Sequence, residues 1–303
     1  MTPEQSSRIS VIEPISPAIE RVKLVLFKPF DLGRWFTIGF CAWLAYLAKG
    51  GGGPNFRIPT KHDHAGLQHA KDFIIDNLPW LIPAAIIGTI SIIIIWLVFI
   101  WLSSRGKFMF LHCVAQNKAE VKIPWAKFQQ HANSLFLFRT VLGIITFLVT
   151  GLLCLPIIFL VAVMVKSDIA QNIAPLLGVI TLSLIAFALS IAFLLVYKFT
   201  TDFVVPIMFL RTTSCTDAWR EFLTILSTSK ARFALYILFQ IVIAMAIGAI
   251  LIAAMCITCC CAACILSIPY IGTVLMLPLL VFLRAYSLYY FRQFGTEFDV
   301  FTT

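Results

Sequence analysis

Acidic residues are few in this chain, fourteen in 303, and none falls within its long apolar runs. Proton relays, ion-coupled sites and intramembrane aspartyl proteases need ionisable groups at depth, so this absence speaks against those chemistries. Charge of either sign is scarce: charged residues are 12% of the sequence, against 60% hydrophobic, and the mean hydropathy is +0.96. A soluble domain carries about 25% charged residues, and half that amount cannot cover a globule of this size. The chain also lacks a Gly-x-x-x-x-Gly-Lys-Ser/Thr loop, a Gly-x-Ser-x-Gly elbow and a His-Glu-x-x-His pair. With them go the phosphate cradle, the nucleophile and the zinc site that those motifs supply. We therefore expect no enzyme and no cofactor.

What the chain does have is six apolar runs: Trp35–Ala48, Trp80–Leu102, Val141–Val165, Ile173–Tyr197, Phe233–Ile257 and Ala262–Leu283. A membrane helix needs about 20 predominantly apolar residues to cross about 30 Å of hydrocarbon. Backbone amides in lipid must be satisfied within their own segment, which makes each run a helix. A barrel would show alternation, and these runs are continuous. The expected fold is an all-α integral membrane protein with about six transmembrane helices.

The basic residues assign an orientation. With six spans, eighteen Lys and Arg fall on the side of the N-terminus, and five (Lys49, Arg57, Lys61, Lys71 and Lys166) on the other. Dropping the short first run would leave thirteen against ten. The positive-inside rule thus favours six spans in a cell (inner) membrane, with both termini cytoplasmic. The net charge of +9 then belongs to a face that meets anionic headgroups, at about 1 kcal/mol per residue near the surface. Lipid is the expected partner; nucleic acid is not, since no nucleic-acid-binding motif is present. The first run follows roughly thirty residues and no small-x-small cleavage site, so it reads as an uncleaved anchor.

Residues 1–303 form a single membrane domain. Its parts are a cytoplasmic segment (1–34), an external loop (49–79), cytoplasmic connections (103–138 and 198–232) and a cytoplasmic tail (284–303). Neither loop is long enough for an independent core. Three segments read as amphipathic interface helices. Pro17–Lys28 has Ser16 as its cap and Ile19, Val22 and Leu26 on one face. A second starts near Pro124. The third follows the capping-box-like Ser214-Cys-Thr-Asp217 and places Trp219, Phe222, Leu223 and Leu226 on one face. Trp125 and Phe128 share their spacing with Trp219 and Phe222. That spacing suggests an interface-helix/two-span unit used three times; ordinary connecting loops are the alternative. Tyr286, Tyr289, Tyr290, Phe291 and Phe294 read as an aromatic belt.

Few residues suggest chemistry. Lys198 and Asp202 stand four apart at the end of the fourth run, where a continuing helix would pair them. That pair is a candidate functional contact or a device that lets the helix leave the bilayer. Cys256, Cys259, Cys260, Cys261 and Cys264 have spacings that suit zinc or disulfides. They also suit close packing by small apolar side chains, and the Ala, Ile and Thr around them favour that reading over a metal site. His62, His64 and His69 with Asp63 and Asp72 lie beside Gly50–Gly53, a hinge poorly suited to a rigid metal site. Pro156, Pro269, Pro278 and Gly272 are candidate helix breaks.

Two stretches carry a likeness to known proteins. One is Leu26-Phe-Lys-Pro-Phe-Asp-Leu-Gly-Arg-Trp-Phe36 leading into Gly39-Phe-Cys-Ala-Trp-Leu44. The other runs from Asp202-Phe-Val-Val-Pro-Ile-Met208 through Ala218-Trp-Arg-Glu-Phe222 and Pro269-Tyr-Ile-Gly-Thr-Val274 to Gln293-Phe-Gly295. Over nearly its full length the chain resembles a family of uncharacterised bacterial multi-pass membrane proteins. More distantly, it resembles the non-catalytic membrane part of some glycerophosphodiester phosphodiesterases. The resemblance implies a helical membrane fold with interface helices and supplies no reaction. The function expected is a non-enzymatic scaffold or accessory at the cytoplasmic leaflet. The alternatives are a transporter or lipid-translocating protein with a path near Pro206, Pro269 and Gly272, and a thiol- or metal-dependent protein using the cysteine run.

Overall fold

In the computed structural model of the protein the described residues are 9–49, 78–166, 173–258, 261–266 and 268–301. They are overwhelmingly helical, and no strand occurs among them. Helix α1 (Ile15–Val22) continues as a π turn to Phe27, and Lys28, preceding Pro29, is extended at φ −132°, ψ 96°. A residue before proline is pushed out of the helical region, which ends the segment there. Helix α2 (Leu32–Tyr46) starts at Asp31, whose carboxylate accepts the Gly33 amide at 2.8 Å. Next come α3 (Leu78–Gln116), α4 (Lys122–Lys127) and α5 (Gln129–Lys166). Helix α6 (Ile173–Phe199) widens into a π turn at Thr200–Val204 and resumes as α7 (Val205–Arg211). The chain ends with α8 (Cys215–Thr228), α9 (Lys230–Ile257), α10 (Cys261–Leu266), α11 (Pro269–Leu275), α12 (Leu277–Arg292) and a 3₁₀ turn at Thr296–Phe298.

Among the described residues, four stretches are long and apolar enough to cross a membrane: Pro79–Gln116, Gln129–Met164, Pro175–Arg211 and Lys230–Ile257. The pair α11 and α12 is a fifth if its 63° bend lies within one span. About six spans were expected, and the first and last runs differ from that expectation. Helix α2 has only 15 residues. The run Ala262–Leu283 is divided among three helices. Pro269 accounts for one break, because it holds Ile268 extended at φ −76°, ψ 114°. Pro278 accounts for the other: it has no N–H to give to the Val274 carbonyl four residues back, and the helix bends at Met276. Pro156, by contrast, sits inside α5 without dividing it.

Burial is concentrated at one end of the bundle, called here the near end. Buried residues run almost without interruption through Ser103–Ala115, Thr200–Phe209 (Thr201 excepted) and Arg284–Leu288. The other halves of α3, α5, α6 and α9 expose Ile, Leu, Val and Phe on most of their surface. In water this would be a severe penalty at about 25 cal/mol per Å²; in hydrocarbon it is not. Phe203 is the hub of the near-end core. Its ring lies 5.3 Å from Phe222, 5.2 Å from Phe233, 5.0 Å from Tyr236 and 5.3 Å from Phe291.

Several expected faces are different in the structure. Tyr286, Tyr290 and Phe291 are fully buried, so they form core and not a lipid-facing belt. Leu26 is buried as expected, but Ile19 is exposed, and Ala18 of α1 and Val25 of its π turn are buried with Leu26; Ser16 lies inside the first turn, with Pro14 at the cap. The Ser214 hydroxyl does cap α8, accepting the Asp217 amide at 3.3 Å, but the buried face is Cys215, Ala218 and Phe222, and Leu223 is exposed. The expected second interface helix amounts to α4, six residues long.

The N-terminal segment closes the near end. Arg21 donates to the carbonyls of Val114 and Ala115, and Arg34 to the Asn117 carbonyl at 2.9 Å. Two cations thus satisfy the last turn of α3, where unpaired carbonyls and the helix dipole favour positive charge. Ser10 and Gln293 exchange two hydrogen bonds, 2.8 and 3.0 Å, and Tyr286 donates to the Val11 carbonyl at 2.8 Å. Both ends of the described chain therefore lie together.

Helix α2 lies against α3 so closely that a Cβ on Gly106 would collide with the backbone of Leu44 and Ala45. Small residues that let helix backbones approach are a recurrent means of association in membranes. Gly106→Ala is expected to destabilise the protein by about 1–3 kcal/mol through overpacking. Gly88 has nothing within 4 Å of an added Cβ, so Gly88→Ala should be neutral or stabilising by up to about 1 kcal/mol. Unfolding in mixed micelles compares the two; equal effects would contradict the packing described.

Candidate functional site

Pro206 builds the first polar centre. It cannot donate to the Asp202 carbonyl four residues earlier, and the helix widens there, so that the Val205 amide reaches back five residues to the Thr200 carbonyl. Such π turns are frequent at functional sites. This one turns Asp202 inward, 7% exposed. Its carboxylate meets Lys198 Nζ at 2.8 Å and accepts from the Tyr236 hydroxyl at 2.9 Å. The Tyr236 oxygen in turn accepts from Gln240 at 3.0 Å. On the other side of the turn Arg284 donates to the Thr201 carbonyl at 2.6 Å, and Lys107 to the Thr201 hydroxyl at 2.6 Å. A cavity of about 100 Å³ lies among Tyr46, Lys107, Lys198, Asp202 and Arg284.

The charges in the near end do not balance. Among the described residues Asp202 is the one buried acid, whereas Arg105, Lys107, Arg139 and Arg284 are buried cations. A buried charge is costly unless it is paired and hydrogen-bonded. Arg105 is held between the rings of Trp101 and Trp125, 4.4 and 4.7 Å from their centroids. This stabilises a guanidinium without neutralising it.

Arg139 stands at the base of a second, larger cavity. About 570 Å³ in volume, it lies between α3, α5 and α6 and is open along one side, with Trp96, Ile100, Leu142, Phe147, Phe193 and Leu194 among its walls. Arg139 is 6% exposed. It donates to the hydroxyls of Ser103 (3.2 Å), Ser104 (3.0 Å) and Tyr197 (2.9 Å). Its Nε has no partner, and no ion pair to it is formed among the described residues.

Of the residues singled out in the sequence, Lys198 and Asp202 are brought together. Cys256 and Cys264 are exposed free thiols, Cys261 opens α10, and Cys259 and Cys260 lie outside the described residues. No group of three or more His, Cys, Asp or Glu side chains able to hold a metal occurs among the described residues. His62, His64, His69, Asp63 and Asp72 lie outside them. Pro206 is on α7, whereas Pro269 and Gly272 are on α11 with α2 and α10 as neighbours. In the sequence Arg139 is one of eighteen cations on the inner side. A signal was present: the positions three and four away on either side are Leu135, Phe136, Leu142 and Gly143, with no acid to pair it.

The chain belongs to a family of unknown function, DUF7544, whose model matches residues 9–277. No curated protein and no solved structure matches it.

Removing the buried acid should cost more than removing its partner. Asp202→Asn is expected to lower stability by about 3 kcal/mol or more, because it strands buried cations. Lys198 is 35% exposed at its side chain, so Lys198→Gln should cost about 1 kcal/mol. Equal losses in thermal unfolding would contradict this asymmetry. Burial pushes the Cys215 thiol up to about 12, which leaves almost no thiolate at neutral pH. N-ethylmaleimide at pH 7 should therefore modify Cys256 and Cys264 and spare Cys215 until the protein is unfolded, as read by peptide mass spectrometry.

Proposed function

We propose that the protein is a non-enzymatic multi-pass protein of the cell (inner) membrane, with a scaffold or accessory role at the cytoplasmic leaflet. In this reading it organises anionic lipid around its near end. The observation that carries it is the gathering of cations where the two ends of the described chain meet. Arg21, Arg34, Arg105, Lys107, Arg139, Arg211 and Arg284 all belong to near-end elements. Exposed Lys122, Lys127, Arg220 and Lys230 surround them. Such a basic face is favoured against negatively charged headgroups, and its concentration at one end agrees with a cytoplasmic orientation.

The pairing of Ser10 with Gln293 supports an even number of crossings. The six-span reading needs α2 as a crossing in addition to the four long helices and the bent pair α11–α12.

A second reading, transport or lipid translocation, has one observation in its favour: the cavity among Lys107, Lys198, Asp202 and Arg284 beside a π turn and a broken helix. Half-helices and interrupted segments are where membrane carriers place their sites. Its walls carry more positive than negative charge, which suits an anion.

Extraction in polymer-bounded discs tests the leading reading. The ratio of anionic to zwitterionic lipid around the wild-type protein should exceed that of the bulk membrane. Lys122, Lys127, Arg220 and Lys230 each replaced by Gln should bring it to the bulk value, each cation being worth about 1 kcal/mol. A bulk ratio around the wild-type protein rejects the proposal.

A further inference from the structure

Resting on that reading of the near end, we propose that the cleft between α3, α5 and α6 is a binding site for one anionic phospholipid, with its phosphate on Arg139 and an acyl chain along the apolar walls.

The cleft has the attributes of a lipid site. Its volume of about 570 Å³ falls within the ~300–1,000 Å³ of small-molecule sites. Its side opening lies between helices that expose apolar residues over their far halves, so a ligand enters from the lipid phase and not from water. The wall hydroxyls do not make it polar. Thr146 donates to the Leu142 carbonyl at 2.8 Å and Ser190 to the Ala186 carbonyl at 2.7 Å, each within its own helix. Gly143 keeps space beside the Trp96 indole, where an added Cβ would stand 3.2 Å from the ring. What remains is an apolar slot with a single cation at its base.

That cation is set up to receive an anion. Ser103 donates its own proton to the Ala45 carbonyl (2.9 Å) and Ser104 to the Ile100 carbonyl (2.8 Å). Both oxygens therefore accept from Arg139 and orient it without cancelling its charge. The Tyr197 hydroxyl, 2.9 Å from the guanidinium, adds a polar group beside it. A buried arginine held by neutral hydroxyls gains most from an oxyanion. Arg139 stands where the polar start of α5 gives way to the apolar run from Val141, as a cation meeting a headgroup requires. A fatty-acid carboxylate offers the same charge with fewer acceptor oxygens, and is the competing occupant that the experiment separates.

Native mass spectrometry of the full-length protein, released from detergent after delipidation and titrated with phosphatidylglycerol, phosphatidylcholine or oleate, provides the test. The wild-type protein should retain one phosphatidylglycerol at low concentration, with phosphatidylcholine and oleate held at least about tenfold more weakly. Arg139→Gln should abolish that preference, and Arg139→Lys should restore part of it. Ser190→Phe, which leaves Arg139 and its hydrogen bonds untouched, should reduce retention by blocking the chain. If Arg139→Gln does not fold, Ser190→Phe decides alone. Undiminished retention in that variant, or oleate held as tightly as phosphatidylglycerol, overturns the proposal. The anionic enrichment of polymer-bounded discs does not depend on this one site. A failure here with that enrichment intact rejects the cleft and leaves the leading reading in place.

Discussion

Proline 206 has no amide proton to give the carbonyl of Asp202, and much of the near end depends on that missing hydrogen bond. The π turn that results places two consecutive side chains in different environments. Asp202 points to Lys198 and Tyr236, and Phe203 enters the aromatic core. Fixing both draws in elements from far along the chain: α8 through Phe222, α9 through Phe233 and Tyr236, α12 through Phe291, and the 201 carbonyl to Arg284.

The two ends of the molecule answer to different surroundings. Over their far halves the long helices pack sparsely and expose apolar side chains, an arrangement that only hydrocarbon tolerates. At the near end the chain builds a dense core of the kind found in water-soluble domains, with Phe128 stacked on Phe209 at 4.8 Å and on Phe108 at 5.7 Å and four buried cations. Cation–π contacts, serine hydroxyls and backbone carbonyls hold these cations in place. Around Arg105 and Arg139 such partners fix the guanidinium's orientation without neutralising it, which is why an anion suits this end. Membership of a family of unknown function adds no reaction to that account; the charge distribution carries it.

Local features were legible in the sequence wherever their cause was local. Long apolar runs became α3, α5, α6 and α9, because lipid-spanning segments must satisfy their own backbone. Spacing four apart paired Lys198 with Asp202, and Ser214 capped α8. The prolines at 269 and 278 marked candidate breaks, and both divide the last run. Composition alone could not show this, because hydropathy averages over a window and is blind to a missing amide proton.

Tertiary structure decided which faces of those helices are buried and what stands beside the charges. Tyr290 and Phe291 have the spacing and the flanking arginine of an interface belt, yet they meet Phe203 and Phe298 and are buried. Their partners lie as much as 88 residues away, beyond the reach of any periodicity. Arg139 is the same case for charge. Its neighbours in sequence show only that no acid is near, and its meeting with Ser103, Ser104 and Tyr197 at the base of an apolar cleft exists only once α3, α5 and α6 have packed. Composition and spacing determine a membrane helix because each segment answers to its solvent alone. A site depends on side chains that converge from separate segments, and packing alone brings those together.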